Sequence, residues 1–387
     1  MIKSKLSKFI TFLLIFAFLL IPNKLPNKKS YAFSDEPKIS SKAAILVDYE
    51  SDTVIFEKNS NERLPIASMT KLASLSIILD YLKKGVIKEN DYVLVSETAA
   101  GVGGSSAFLD AGSKYKVSDL IKTVIIASAN DSTVALAEFV SGSEEMFVSK
   151  MNKLCLDLGL ENTHFENSTG LPSENHYSSA RDMVKIYKTV CNNPLYKEYA
   201  KIWMSDFVHP SGRKTGLVNT NRLVRTYDGI DGGKTGYTNA ARFCLTASAT
   251  RGETRLIGVL IGSNDSKTRF SEMSSLFNFG FANFESKLLI DKEVPVTIQN
   301  FKNAKNLVSL YPEKNVSSFL KKSEEFVYST GYEVYDLKAP IKQGDVVGKM
   351  FIFDKNNMVI NEVNLISGED ASEIGFKELF KKIVTSW

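Results

Sequence analysis

Apolar residues recur every three or four positions from Met69 to Leu82 and again from Val117 to Val140, but the second run is cut by Ser128-Ala129-Asn130-Asp131. Such spacing marks the buried face of a helix. A polar stretch between two buried helices can satisfy itself by capping them or by pointing into a cleft. Strand-like runs surround these helices. Ala43-Ala44-Ile45-Leu46-Val47 and Thr53-Val54-Ile55-Phe56 flank the turn-rich Tyr49-Glu50-Ser51-Asp52 as a hairpin, while Phe243 to Ala249 and Arg255 to Ile261 read as further strands. Met146 to Leu160, Ser179 to Val190 and Ser271 to Phe284 have helical spacing.

Beyond about residue 285 the texture becomes that of a small all-β domain, with short runs at Val294 to Ile298, Phe326 to Tyr328, Val346 to Phe353 and Met358 to Val363. After it, Ile374, Phe376, Leu379, Phe380, Ile383, Val384 and Trp387 repeat at helical spacing with Lys377, Lys381 and Lys382 among them, a stripe that fits either core packing or an interfacial helix, its terminal position and lysines favouring the latter. At the other end, Lys3, Lys5 and Lys8 precede an apolar stretch from Phe9 to Ile21 broken only by Thr11, too short to span a bilayer comfortably and typical of an export signal. Ser30-Tyr31-Ala32 offers a small-x-small cleavage site. The expected divisions are a signal peptide over 1–32, a catalytic domain over 33–285, a β-rich domain over 286–367 and an amphipathic helix over 368–387. A chain of 387 residues has room for two to three domains.

The formal charge of +4 is misleading, because residues 1–32 hold six lysines and no acid; the remainder carries 48 − 6 = 42 basic against 44 acidic residues. A slightly acidic body lacks the basic face that DNA or RNA requires, so nucleic acid is not an expected partner. Cys155, Cys191 and Cys244 cannot all pair and form no C-x-x-C motif, and are expected to be buried thiols.

Three short motifs can carry chemistry. Ser68-Met69-Thr70-Lys71 sets a hydroxyl and an amine three residues apart at a helix start, hence on one face. A serine needs such a neighbouring base to act as a nucleophile, although an N-cap serine beside a solvated lysine fits the spacing equally well. Ser113-Lys114-Tyr115-Lys116 and Ser318-Phe319-Leu320-Lys321 have the same spacing without that context. Ser128-Ala129-Asn130 occupies the helix break. Lys234-Thr235-Gly236 follows Asp231-Gly232-Gly233 and precedes a strand, whereas Lys214-Thr215-Gly216 lies near Pro210, Ser211 and Gly212 with no strand after it and reads as a loop. His164, His176 and His209 have no evident carboxylate partner or metal spacing, which leaves no basis for a Ser-His-Asp triad.

In the order S-x-x-K, S-x-N, K-T-G, the motifs resemble the acyl-transfer set of penicillin-binding proteins and class A β-lactamases. The chain is most similar to the low-molecular-mass penicillin-binding proteins that are D-alanyl-D-alanine carboxypeptidases. Phe56 to Asn59, Gly104 to Leu109, Asn167 to Leu171, Asn219 to Asn221 and Asp231 to Thr238 carry the likeness further, and it covers residues 40 to 387. Asn219 to Asn221 also selects Lys234 over Lys214. Gly233, where a larger apolar residue is common, and Ala241-Arg242-Phe243-Cys244 depart from the family pattern.

The resemblance implies an α+β fold: a transpeptidase-like domain with an antiparallel sheet flanked by helices, then a small β-sandwich-like domain and a terminal amphipathic helix. It implies a penicillin-sensitive, serine-type hydrolase that removes the last D-alanine of peptidoglycan pentapeptide stems without metal or cofactor, on the outer face of the cytoplasmic membrane. Carried over to this sequence, Ser68 is the nucleophile and Lys71 its base, lowered in pKa by burial and by Lys234. Ser128 relays a proton and Asn130 holds the substrate amide. Lys234, Thr235 and Arg269 bind the terminal carboxylate beside Gly236, and the N–H groups of Ser68 and Tyr237 form the oxyanion hole. Two other readings are a β-lactamase and an inactive cell-wall binding protein. The E-x-x-x-N element of class A lactamases does not occur between Asn130 and Lys234, and the intact motifs oppose an inactive protein. Deleting residues 370–387 is expected to release the protein from membranes; continued sedimentation with them would point to another tether.

Overall fold

The computed structural model describes residues 35–375. The expected signal peptide and residues 376–387 of the expected terminal helix lie outside the described residues.

The structure is organised around a five-stranded antiparallel sheet of order β2-β1-β9-β8-β7. Its first hairpin is β1 (Ala43–Asp48) and β2 (Val54–Lys58). The intervening chain supplies two small hairpins, β3 (Tyr92–Leu94) with β4 (Lys114–Lys116) and β5 (Met204–Val208) with β6 (Lys214–Val218). The sheet is completed by β7 (Ile230–Thr238), β8 (Arg242–Arg251) and β9 (Thr254–Ser263). Helices cover both faces, so β9 is buried almost throughout. Period-two alternation divides β1 between two cores. Ile45 and Val47 face a large cluster with Leu72, Leu75, Ile121, Val124 and Leu136, while Ala44 and Leu46 face a smaller one with Met273, Leu276 and Phe277.

The first core is built by α1 (Lys71–Lys83), α2 (Glu97–Gly101), α3 (Val117–Ala127), α4 (Asn130–Ser141), α5 (Glu144–Asp157), α6 (Ala180–Val190) and α7 (Pro194–Ala200). A short turn, α8 (Leu223–Thr226), leads into β7, and α9 (Ser266–Asn283) covers the opposite face. Three of these helices start on serine caps: Ser96, Ser143 and Ser179 each accept a bond from the third residue on. The helix expected from near Ser68 begins instead as a 3-10 turn over Ala67–Thr70.

From Phe284 the chain becomes the β-rich part, a β10 (Phe284–Ile290) and β13 (Val316–Lys321) pair and a sheet of order β11-β12-β16-β15-β14. The sheet comprises β11 (Thr297–Gln299), β12 (Val308–Pro312), β14 (Ser329–Val334), β15 (Val346–Phe353) and β16 (Val359–Ser367). Val308, Leu310 and Val347 centre one of its cores, Ile352 and Val363 another. Residues 368–375 lie against this part through bridges of Ala371 to Ile341 and Glu373 to Ala304.

Further sequence expectations need correction, the first being that the strand expected from Val294 starts only at Thr297. Phe326 to Tyr328 is not a strand: Phe326 and Tyr328 stack on each other at 5.6 Å and pairing begins at Ser329. Lys214-Thr215-Gly216 is not a loop but the start of β6, because Pro210 to Gly212 turns the chain and lets Leu217 bury beside Phe207. The S-x-x-K spacings at Ser113 and Ser318 fall beside β4 and on β13, where residues three apart point to opposite faces.

Candidate active site

Ser68 lies in the 3-10 turn, held out from α1 by Ala67, whose φ of +49° is left-handed for a residue with a side chain. That conformation costs about 1–2 kcal/mol and re-aims the following serine. Lys71, one turn on, is completely buried, and its Nζ donates to Ser68 Oγ at 2.9 Å and to the Thr169 carbonyl at 2.7 Å. The Thr169 carbonyl is fixed by its own loop. Asn167 Oδ1 accepts from the N–H groups of Thr169, Gly170 and Leu171, while Ser168 donates to Glu144 and accepts at its carbonyl from Ser74.

The helix break brings the second motif opposite the first. Ser128 ends α3 in a left-handed conformation (φ 62°, ψ 32°), a position where glycine would be unstrained. Its Oγ accepts from Lys234 Nζ at 2.7 Å. Asn130 donates from Nδ2 to the Gly103 carbonyl at 2.6 Å, and its buried Oδ1 has no partner. The neighbouring Asp131 carboxylate, fully buried, accepts from Ser106 Oγ, the N–H groups of Ala107 and Leu109, and Ser132 N–H, fastening the 103–109 loop over the break.

Lys234, Thr235 and Gly236 line the free edge of β7. Gly236 is required there: a Cβ would sit 2.5 Å from the Ile66 carbonyl and 3.2 Å from the Ser68 nitrogen. The strand thus runs directly past the Ser68 N–H. Gly233, the departure noted in the sequence, has a reason as well, since the Asn221 amide would be 2.7 Å from its Cβ. Tyr237 is half exposed and packs on Phe243 at 4.4 Å. Arg269 is buried under the strand, its Nη1 donating to the carbonyls of Gly236 and Cys244 at 3.2 and 3.1 Å, with Nε unpartnered.

Two buried ammonium groups without carboxylate partners cannot both keep ordinary pKa values. Burial first, then the charge of Lys234, holds Lys71 well below the usual lysine range, against a smaller opposing pull from Asp131. Lys234 is pushed down to about 7 by burial and by Arg269. An uncharged amine bonded to a serine hydroxyl is an arrangement able to accept that serine's proton.

Hydrogen bonds and close approaches thus join Ser68 to Lys71, Ser128 to Lys234, and Gly236 to both the Ser68 turn and Arg269. The sequence reading missed Thr169, Asp131 and His176. Nε2 of His176 bonds Thr70 Oγ1 at 2.8 Å and its Nδ1 accepts from Glu166 N–H, bracing the turn that carries Ser68. Burial lowers its pKa to about 4, so it stays neutral. The other histidines are structural too: His209 bonds Tyr115 and Thr215 and lies 3.6 Å from Asp110, and His164 bonds the Asn175 carbonyl. Cys155, Cys191 and Cys244 are buried and free.

A serine with a buried amine base, facing a second serine and lysine on a strand edge, defines a serine acyl-transferase of the penicillin-recognising class. Residues 30–265 match the family model for D-alanyl-D-alanine carboxypeptidase, and residues 284–373 that for the C-terminal domain of penicillin-binding protein 5. The chain is 38% identical over 351 residues to D-alanyl-D-alanine carboxypeptidase DacF of Bacillus subtilis, covering 90% of both chains. Identity to the DacA carboxypeptidase of Escherichia coli K12 is 34% over 364 residues, 90% of this chain and 87% of that one. Penicillin-binding protein 5 of Haemophilus influenzae superposes with a TM-score of 0.69 at 33% identity, over 88% of this chain and all of that one. The chain belongs to the D-alanyl-D-alanine carboxypeptidase family, as a penicillin-binding protein of the low-molecular-mass, protein 5 type: a serine-type enzyme of peptidoglycan, in a family that acts outside the cytoplasm.

Folding releases the proton that Lys71 carries in the unfolded chain below its ordinary value of 10.5, so the contribution of Lys71 to wild-type stability becomes more favourable with pH between the lowered folded value and 10.5. Lys71→Met removes this dependence. The melting-temperature difference between variant and wild type is expected to shift in favour of wild type as pH rises from about 7 toward about 10; a pH-independent difference would mean that Lys71 folds charged.

Proposed function

We propose that Ser68 Oγ attacks the carbonyl of the penultimate D-alanine while Lys71 takes its proton, and that the C–N bond to the last D-alanine then breaks, with Ser128 passing a proton to the leaving amine. The observation that carries this reading is the paired geometry, Lys71 on Ser68 and Lys234 on Ser128, with both amines buried. The oxyanion is held by the N–H groups of Ser68 and Tyr237, consistent with the close passage of Gly236. Asn130, with an acceptor to spare, holds the substrate amide. Lys234, Thr235 and Arg269 take the terminal carboxylate: Arg269 Nε has no partner, while Nη1 is held by the Gly236 and Cys244 carbonyls and Nη2 donates to Ser266 Oγ. Water then hydrolyses the Ser68 ester. β-Lactams, which present the same acyl group in a ring, acylate Ser68 as covalent inhibitors.

Slow turnover of the penicillin adduct follows from the 166–171 loop. Glu166 accepts from Ser173 and from Asn175 N–H on an exposed surface, and among the described residues no carboxylate bonds Ser68 or Lys71. This sets the chain apart from a β-lactamase, which needs a base on the acyl-enzyme.

In this reading residues 33–285 form the catalytic domain and 286–367 a β-rich domain. The chain is exported by a signal over 1–32 and held at the outer face of the cytoplasmic membrane by its amphipathic end. Among the described residues no helix is long and apolar enough to cross a membrane.

Mass spectrometry after penicillin treatment tests the assignment. A single penicilloyl adduct on Ser68 is expected, persisting for minutes or longer, and Ser68→Ala is expected to lose both the adduct and cleavage of D-Ala-D-Ala peptides. Labelling retained in that variant, or an adduct gone within milliseconds, would overturn it.

A further inference from the structure

Arg269, which donates to the Gly236 carbonyl, also lines a cavity of about 670 Å³ together with Trp203, Thr220, Arg222, Arg225 and Ser266 among others. That volume lies in the range of small-ligand sites and far exceeds what an alanine methyl fills. No acidic residue lines it. Among the described residues none of its three arginines pairs with a carboxylate, and the buried Arg269 keeps Nε unpartnered. Arg222 adds its positive charge to that around Arg269.

The wall carrying Arg222 and Arg225 is pre-built. Asn219 Nδ2 donates to the carbonyls of Ala200 and Ile202, and its Oδ1 accepts from Asn221 N–H, while Asn221 Oδ1 accepts from Leu223 N–H. Thr220 N–H reaches the Ile126 carbonyl at 3.2 Å. On the turn so fixed, Arg222 and Arg225 stand three residues apart, on one face. Arg225 is stacked over Trp203 at 5.1 Å, which holds its planar guanidinium in place. Concentrated, uncompensated positive charge in a concave site is built for an anion.

We infer that this cavity is a subsite for an anionic side chain on the terminal D-residue of the substrate, read by Arg222 and Arg225. The inference rests on the assignment of Thr235 and Arg269 to the terminal carboxylate, because that carboxylate ends the substrate main chain and only the side chain of the same residue can extend past it. The enzyme then cleaves stems ending in an acidic D-amino acid by the same acyl transfer, water replacing the released D-glutamate or D-aspartate.

The test uses the full-length enzyme and three peptides of identical stem ending in D-Ala-D-Ala, D-Ala-D-Glu and D-Ala-D-Gln. Glutamine has nearly the size of glutamate without its charge, so the ratio of their kcat/KM values isolates the charge. Glutamate is expected to be favoured about tenfold, the equivalent of one good charge-assisted bond. In Arg222→Gln/Arg225→Gln the ratio is expected to fall to about one, with penicillin labelling reporting that the protein is folded. A ratio at or below one in the wild type, with D-Ala-D-Ala still cleaved, overturns the subsite alone. A glutamate preference that survives the double variant also overturns it. Failure to cleave D-Ala-D-Ala at all overturns the parent assignment with it.

Discussion

Two amines are removed from water without a counter-charge, and the rest of the catalytic structure is arranged around that fact. Lys71 and Lys234 are buried, bond hydroxyls and carbonyls, and meet no carboxylate among the described residues. Each unit by which an amine's pKa is lowered costs about 1.4 kcal/mol of stability at neutral pH. The two large clusters on either face of the sheet supply stabilisation against which this cost is set. The charge of Lys234 contributes to lowering Lys71, and in the proposed mechanism this is how the second lysine acts on Ser68 through space.

Backbone geometry completes what charge begins. Left-handed residues precede Ser68 and end α3 at Ser128, and both sit where two chain segments must meet at hydrogen-bond distance. Such strain persists only when its surroundings over-determine it. Asp131 supplies that rigidity on one side by drawing the 103–109 loop down. On the other side the 166–171 loop is fixed by Asn167 and backed by His176. The strand edge between them carries Lys234, Thr235 and Gly236, with Arg269 locked behind.

Much of this was legible in the sequence because the motifs are short and local. The periodic helices, the hairpin of β1 and β2 and the polar break were readable from spacing. Family resemblance then joined the motifs of Ser68 and Lys71, of Ser128 and Asn130, and of Lys234, which lie far apart in the chain and share no pattern with one another. What escaped reading depends on contacts far apart in the chain. Thr169 contributes a backbone carbonyl, to which side-chain identity gives no clue, and His176 gains its role only when its loop packs on Thr70. The second K-T-G was misread because β6 pairs with β5 in an exposed hairpin that has weak apolar alternation. Gly233 departs from the family pattern, and in this chain the Asn221 amide and the Thr246 carbonyl leave no room for a side chain there.

The account turns on Lys71 being uncharged when Ser68 reacts. The second-order rate of penicillin acylation as a function of pH measures this most directly, since penicillin itself does not titrate across the neutral and alkaline range. A lowered amine predicts a rate that falls on the acid side and levels off well before the ordinary lysine value is reached. A rate that keeps climbing about tenfold per pH unit until about 10, the ordinary lysine value, would contradict it.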